Sequence, residues 1–338
     1  MHSQNRTALT IWLVAAVGIV ATVGIAAAAV IAATVGIAAP VNFAAAVGPA
    51  AAAEPLPAKG PYLGQKPPGM TAEVFAPGLV SSSSFEHSRL EISKDGTAFY
   101  WVVQPMRGKQ LIWSTHRAAD GSWSKPAPLP ISNGAEELPF LNSPTLSPDG
   151  KKLYFSSIDW AEGGAHGSAP PKQTYYSVDL ENPRWNAPAP IEAWFPDPAS
   201  VWAYSFAADG DIYFDSEFRL FHMTRRGDRY DPPATLGNPA IDDEEGFIPF
   251  VAPDESYIIY SSTRSGSVGG SIDLYVAFRL ANGGWGPPKS LGPEVNTADN
   301  ERFPTVSADG KYLFFLRNDP QGDSSFYWID AAIIEKAR

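Results

Sequence analysis

A four-residue turn closing on Asp-Gly or Asp-Glu is written five times along the 338-residue chain, and no other feature limits the fold as much. The copies read "SKDG", "SPDG", "AADG", "APDE" and "SADG", with Asp95, Asp149, Asp209, Asp254 and Asp309 spaced by 54, 60, 45 and 55 residues. A type I turn favours Pro at its second position and Gly at its fourth, and an Asp between them can bond its own backbone. "SPDG" meets all three preferences; the copies on Asp95, Asp209 and Asp309 lack Pro, and Glu255 stands where the fourth copy would have Gly. Each turn is flanked by short apolar or alternating runs, such as "PTLS" and "KLYFSS" or "PTVS" and "YLFFLR". That pattern predicts two paired strands, the second of them buried.

A third run follows in every copy, from "LIWSTHR" at 111–117 to "SFYWIDAAI" at 325–333. Then comes an aromatic with Pro three residues on: "WSKPAPL", "WNAPAPI", "YDPPATL" and "WGPPKSL". Pro is tolerated at an unpaired edge, which makes this fourth strand the outermost. Four strands per repeat describe a propeller blade. Trp123, Trp185, Tyr230 and Trp285 recur at one blade position and are expected to pack between blades. The fifth repeat ends without its outer strand, and "EVFAPGL" at 73–79 resembles the missing piece. The expectation is an all-β, five-bladed β-propeller over residues 71–338, closed by pairing this N-terminal strand with the last sheet; a sixth blade built from the preceding residues is the alternative.

Composition agrees. Charged residues are 18% and aromatics 12%, with 32 Pro and 29 Gly, as suits turn-rich β structure. The absence of Cys excludes disulfides, thiolate metal sites, a Cys nucleophile and a lipidated Cys. A net charge of −11 opposes nucleic-acid binding, which needs basic clusters. Residues 1–53 read as a signal peptide or membrane anchor. Thr7–Ala39 carries no charge and could span a bilayer, and "ATVGIAA" is repeated at 21–27 and 33–39, as though a duplication had lengthened an export signal. Small residues around Ala53 offer a cleavage site; retention would anchor the chain in the cytoplasmic membrane through 7–39. Residues 54–70 read as an extended Pro/Gly linker. Localisation is expected to be periplasmic or extracellular.

The turn "SPDGKKLYF" and the aromatic-x-x-Pro outer strands resemble the TolB-type propeller repeat, a relative of the WD-type repeat in exported bacterial proteins, over roughly residues 71–338. The resemblance implies a propeller that binds partners rather than an inherited reaction.

In a propeller, function concentrates at the axial channel and the loops around it. The segments entering the inner strands supply Glu86, Glu136, Glu137, Asp242, Asp243, Glu244, Glu245, Asp299 and Glu301. Convergence would make an acidic mouth for a basic partner segment or for Ca²⁺; the competing reading is solvated loop acids. The candidate binding residues are Glu86, His87, Glu137, Trp202, Glu245, Glu301 and Arg302, with a protein segment or a glycan as ligand and no catalytic residue assigned. His87 is either an acid/base or metal group or a hydrogen bonder at the rim. The alternative function is a carbohydrate-active enzyme, hydrolase or lyase, using Glu86, Glu137 and Glu245, since glycoside hydrolysis needs two suitably spaced carboxyls. No G-x-S-x-G elbow or phosphate loop is present. Trp160, Trp194 and Trp202 fall outside the repeat and could stack on a ligand, and the insertion at 159–173 lengthens one blade loop.

Overall fold

The structure, a computed structural model, describes residues 59–338 apart from 83–84, 106–108, 135, 160–171, 192–193, 196, 198–199, 269–270 and 320–322, and without the side chains of residues 85 and 136. The stretch 7–39, the site after Ala53, Trp160 and most of the 159–173 insertion lie outside the described residues. No helix among the described residues is long and apolar enough to cross a membrane.

Every repeat forms one antiparallel sheet. From the axis outward, blade 2 is Leu141–Leu146, Lys152–Asp159, Lys172–Asp179 and Ala189–Ile191; blade 3 is Val201–Phe206, Ile212–Ser216, Arg219–Met223 and Ala234–Thr235. Blade 4 is Phe247–Val251, Tyr257–Ser262, Asp273–Phe278 and Lys289–Ser290. In blade 1 the inner strand is broken into Phe85–Glu86 and Glu91–Ile92, followed by Ala98–Gln104, Leu111–His116 and Ala127–Pro128. Blade 5 takes Asn300–Val306, Tyr312–Asn318 and Ser324–Asp330 from the C-terminal end and Glu73–Val74 from the other.

The repeated turn has the same construction in all five blades. Its fourth amide donates to the carbonyl three residues back at 2.8–3.0 Å, and the Asp carboxylate accepts the amide two residues on. The fourth residue has a φ between 57° and 94° in every copy, a conformation glycine adopts freely and other residues at about 1–2 kcal/mol. Glu255 alone bears that cost.

Ring closure follows the sequence expectation. Glu73 pairs with Trp328 and Val74 with Tyr327, and the Phe75 amide donates to the Phe326 carbonyl at 2.7 Å. Residues 59–70 reinforce the seam from outside: Gly60 exchanges hydrogen bonds with Gly121 and Trp123 of blade 1, while Tyr62 packs on Tyr312 and Trp328 of blade 5.

Buried side chains form five clusters, one at each blade boundary. Trp123 lies in the cluster between blades 5 and 1 and Trp285 in that between blades 3 and 4; Trp185 borders that between blades 1 and 2 and Tyr230 that between blades 2 and 3, as expected from their recurrence. Fully burying one such aromatic contributes about 1.5–3 kcal/mol, so each boundary is a small core of its own.

Candidate functional site

Counting back from each turn Asp aligns the inner strands around the axis. Seven residues back are Ser88, Asn142, Trp202, Phe247 and Arg302, which ring the end where the chain enters each blade. Six back are Arg89, Ser143, Ala203, Ile248 and Phe303. Blades 2–5 slip register between these positions and the regular ladder below them, and Ser143, Ile248 and Phe303 adopt φ of 50–56° there. This shared bulge bends each strand toward its neighbours.

The bulge level is sealed rather than open. Ala203, Ile248 and Phe303 belong to one buried cluster with Val103 and Leu316. Arg89, only 3% exposed, reaches across the axis: Nη1 donates to the Tyr204 carbonyl of blade 3 at 2.8 Å, and Nη2 donates to the Pro249 carbonyl of blade 4. Its guanidinium lies 3.7 Å from Glu91, whose other oxygen accepts the Leu146 amide of blade 2 at 3.2 Å. The Arg89–Glu91 pair thereby joins four blades. Below it, toward the turns, remains a 90 Å³ cavity walled by Arg89, Glu91, Thr145, Ser205, Phe250 and Thr305, one or more from each blade. Asp215 is also buried here and accepts the amides of Ala203 (2.9 Å) and, across the blade boundary, Ile248. Burial pushes its carboxyl up to about 7 against the opposing pull of those amides and Arg89.

The sequence-selected residues divide between interior and surface. Glu86 has no exposure; Ser82 donates to it twice (2.9 and 2.8 Å), Ser324 of blade 5 donates to its carbonyl at 2.9 Å, and burial pushes its carboxyl up to about 7. Glu301 is equally buried and repeats the motif, accepting from the Thr297 amide and hydroxyl and from Arg317 Nε at 2.8 Å, with burial again raising its carboxyl. These two carboxyls brace the entry loops of blades 1 and 5. His87 packs edge-on to Phe303 with ring centroids 6.2 Å apart, and burial together with the Arg302 charge lowers its imidazole to about 4. Arg302 donates to Asn318 Oδ1 at 2.6 Å, and burial lowers it to about 10. Glu86, His87 and Arg302 are therefore gathered at the seam of blades 5 and 1, whereas Glu301 faces the blade 4 side, its amide donating to the Ile272 carbonyl at 2.8 Å.

Glu137 and Glu245 lie apart from them. Glu137 is exposed on a short surface hairpin and pairs with Lys109 at 2.7 Å. Glu245 is exposed ahead of blade 4, where Thr263 Oγ1 donates to it at 2.5 Å. Trp202 is the only exposed large aromatic among the described residues; its ring lies 5.9 Å from Phe218, which meets Phe247 edge-on at 5.8 Å. No three His, Asp or Glu among the described residues are grouped so as to hold a metal ion.

Sequence reasoning missed Arg89, Asp215 and the cleft beside Trp194. Column alignment carries the signal for the first two. Arg89 is the one charged residue six back from a turn Asp, and Asp215 the one acid in the set Val102, Ser156, Ser261 and Leu316 on the second strands.

No protein-family model and no curated protein matches the chain. Among solved structures, TolB from Acinetobacter baumannii aligns over 74% of this chain and 55% of its own, at 15% identity and a TM-score of 0.42; the chain thus spans about half of that protein's length. The catalytic domain of the Coprinopsis cinerea GH62 α-L-arabinofuranosidase aligns over 78% of this chain and 97% of its own, at 12% identity and a TM-score of 0.47. A thermostable family-43 glycoside hydrolase aligns over 74% and 89%, at 13% identity and a TM-score of 0.45.

Proposed function

We propose that the protein is an exported binding module that takes a partner segment at the rim of its axis, with Trp202 and Phe218 as the contact surface and Arg302 on the facing blade. The observation that carries this reading is Trp202. In a ring whose other aromatic, Phe247, is buried, this indole stands 39% exposed, and an aromatic left in water at a loop-rich face is a common binding anchor. A protein segment suits a shallow shelf better than a sugar ring does, because the bulge level beneath it is filled. A hydrolase would need two carboxyls open to substrate. Support for that is weaker, since of Glu86, Glu137 and Glu245 the first is wholly buried and the second is paired with Lys109, which leaves Glu245 as the one open carboxyl of the three.

Peptide and oligosaccharide arrays probed with the described domain test the reading. Peptide retention that Trp202→Ala abolishes, at unchanged melting temperature, is the expected result; retention indifferent to Trp202→Ala sinks it, and turnover of any polysaccharide would replace it with the hydrolase. Export rests on the uncharged run 7–39 and is checked by cell fractionation, where a cytoplasmic pool of full-length chain is the adverse outcome.

A further inference from the structure

On the turn side of the ring, between blades 2 and 3, lies a cleft of 580 Å³, within the range that accommodates small ligands. Its walls carry the half-buried rings of Tyr154, Trp194, Phe206 and Tyr230, with Trp194 4.8 Å from Tyr154 and 5.8 Å from Phe206. Around it stand three exposed cations from three different blades, Lys94 from blade 1, Lys152 from blade 2 and Arg225 from blade 3, with two acids, Asp149 and Asp228, on the same lining; Asp149 is engaged by Ser147 and the Lys151 amide. None of the three has a carboxylate within ion-pair distance among the described residues. Three unpaired cations on one cleft stand out in a chain of net charge −11.

The next boundary shows why the cleft is open. Between blades 3 and 4, Glu255 at the fourth turn position meets the Tyr213 hydroxyl of blade 3 and pairs with Arg279 at 2.9 Å, and Arg279 covers Trp285 at 4.1 Å. At the matching positions one blade earlier stand Gly210, Tyr154, Arg225 and Tyr230. Gly210 offers no carboxylate. Arg225 lies over it so closely that a Cβ there would sit 2.8 Å from Arg225 Cδ, and Tyr230 donates to the Gly210 carbonyl at 3.2 Å. The latch is missing, and its arginine is left facing solvent.

We propose that this cleft binds an anionic oligosaccharide of the uronic-acid class, its sugar faces stacking on Trp194 and Tyr154 and its carboxylates meeting Lys94, Lys152 and Arg225. Aromatic rings take up the apolar faces of flat groups, and Arg and Lys form charge-assisted hydrogen bonds to carboxylates. Cations drawn from three blades suit charges repeated along a chain better than one compact polyphosphate, for which neither a glycine-rich loop nor a helix N-terminus is at hand. This site is independent of the rim reading. It lies at the opposite end of the inner strands.

Calorimetric titration of the full chain with short oligogalacturonate tests it, with the methyl-esterified oligomer and ATP as controls. Expected are saturable binding to the acid form, loss of binding on esterification, and a weakening of about tenfold for Arg225→Gln or Lys152→Gln, the effect of one charge-assisted bond. Trp194→Ala should abolish binding, while Trp202→Ala should leave it unchanged. Both glutamine substitutions are at exposed positions, so they keep the test valid if Trp194→Ala disturbs the fold. Equal binding of acid and ester, insensitivity to Arg225→Gln, preference for ATP, or no binding at all would overturn the proposal.

Discussion

The boundary between blades 3 and 4 and the one between blades 2 and 3 are assembled from matching positions, yet one is shut and the other gapes. Glu255 makes the difference: it accepts a left-handed backbone that every other copy gives to Gly, and its carboxylate then joins Tyr213 to Arg279. Where Gly210 keeps the backbone relaxed, the Arg225 guanidinium meets no carboxylate among the described residues, its Nε donating to the Gly227 carbonyl, and a cleft remains. In a repeat protein a site can thus arise where one repeat lacks a contact that its next neighbour makes.

The strongest way to break the contrast is at the axis. Arg89 grips carbonyls on both sides of the shut boundary, so Arg89→Met should leave Glu91, Asp215 and two carbonyls uncompensated and cost about 3–5 kcal/mol in urea unfolding. A loss under 1 kcal/mol, well below that range, would mean that packing alone holds the shut side.

The shut side should also respond to pH, through Asp215 and its hold on the Ile248 amide. Asp215 and Glu86 keep their protons to about pH 7 in the fold but release them near 4 when unfolded, so the native state binds more protons between those values. Their contribution is complete at low pH and is lost as pH rises through about 7. His87 works the other way: neutral in the fold down to about 4, it adds stability above 6.5 that disappears toward 4. Two carboxyls outweigh one imidazole. Thermal melts should therefore fall from pH 5 to pH 8, by order of 1–3 kcal/mol, and Asp215→Asn should flatten the slope. A slope unchanged by that substitution would remove Asp215 from the account.

The smallest effect sharpens the comparison most. Glu255→Ala removes the latch and keeps the unfavourable φ, whereas Glu255→Gly removes both; the Gly variant should be more stable than the Ala variant by about 1 kcal/mol in denaturant midpoints. Equal values would show that the left-handed turn costs nothing here.

Much of this architecture could be read from residues alone. The Asp of each turn, the Pro of each outer strand and the orphaned "EVFAPGL" specify strand order and closure because they obey local rules of turn and edge chemistry. The site was less legible. Glu86 and Glu301 look like surface acids in sequence, and only the fold shows Ser82 and Thr297 four residues earlier turning them inward. Arg89 gave no local sign of spanning the axis, since its acceptors Tyr204 and Pro249 are 115 and 160 residues away. The open cleft depends on what is missing at Gly210, and an absence is visible only against the aligned neighbour.

The join at Glu73–Val74 sets an order of events during synthesis. The first strand of the domain to leave the ribosome must wait for a partner strand made much later, since Trp328 lies 255 residues beyond Glu73. Until then the edge of blade 5 does not exist, and Phe75 has no core to enter. The circle is a structure the chain completes only once the third strand of blade 5 has emerged.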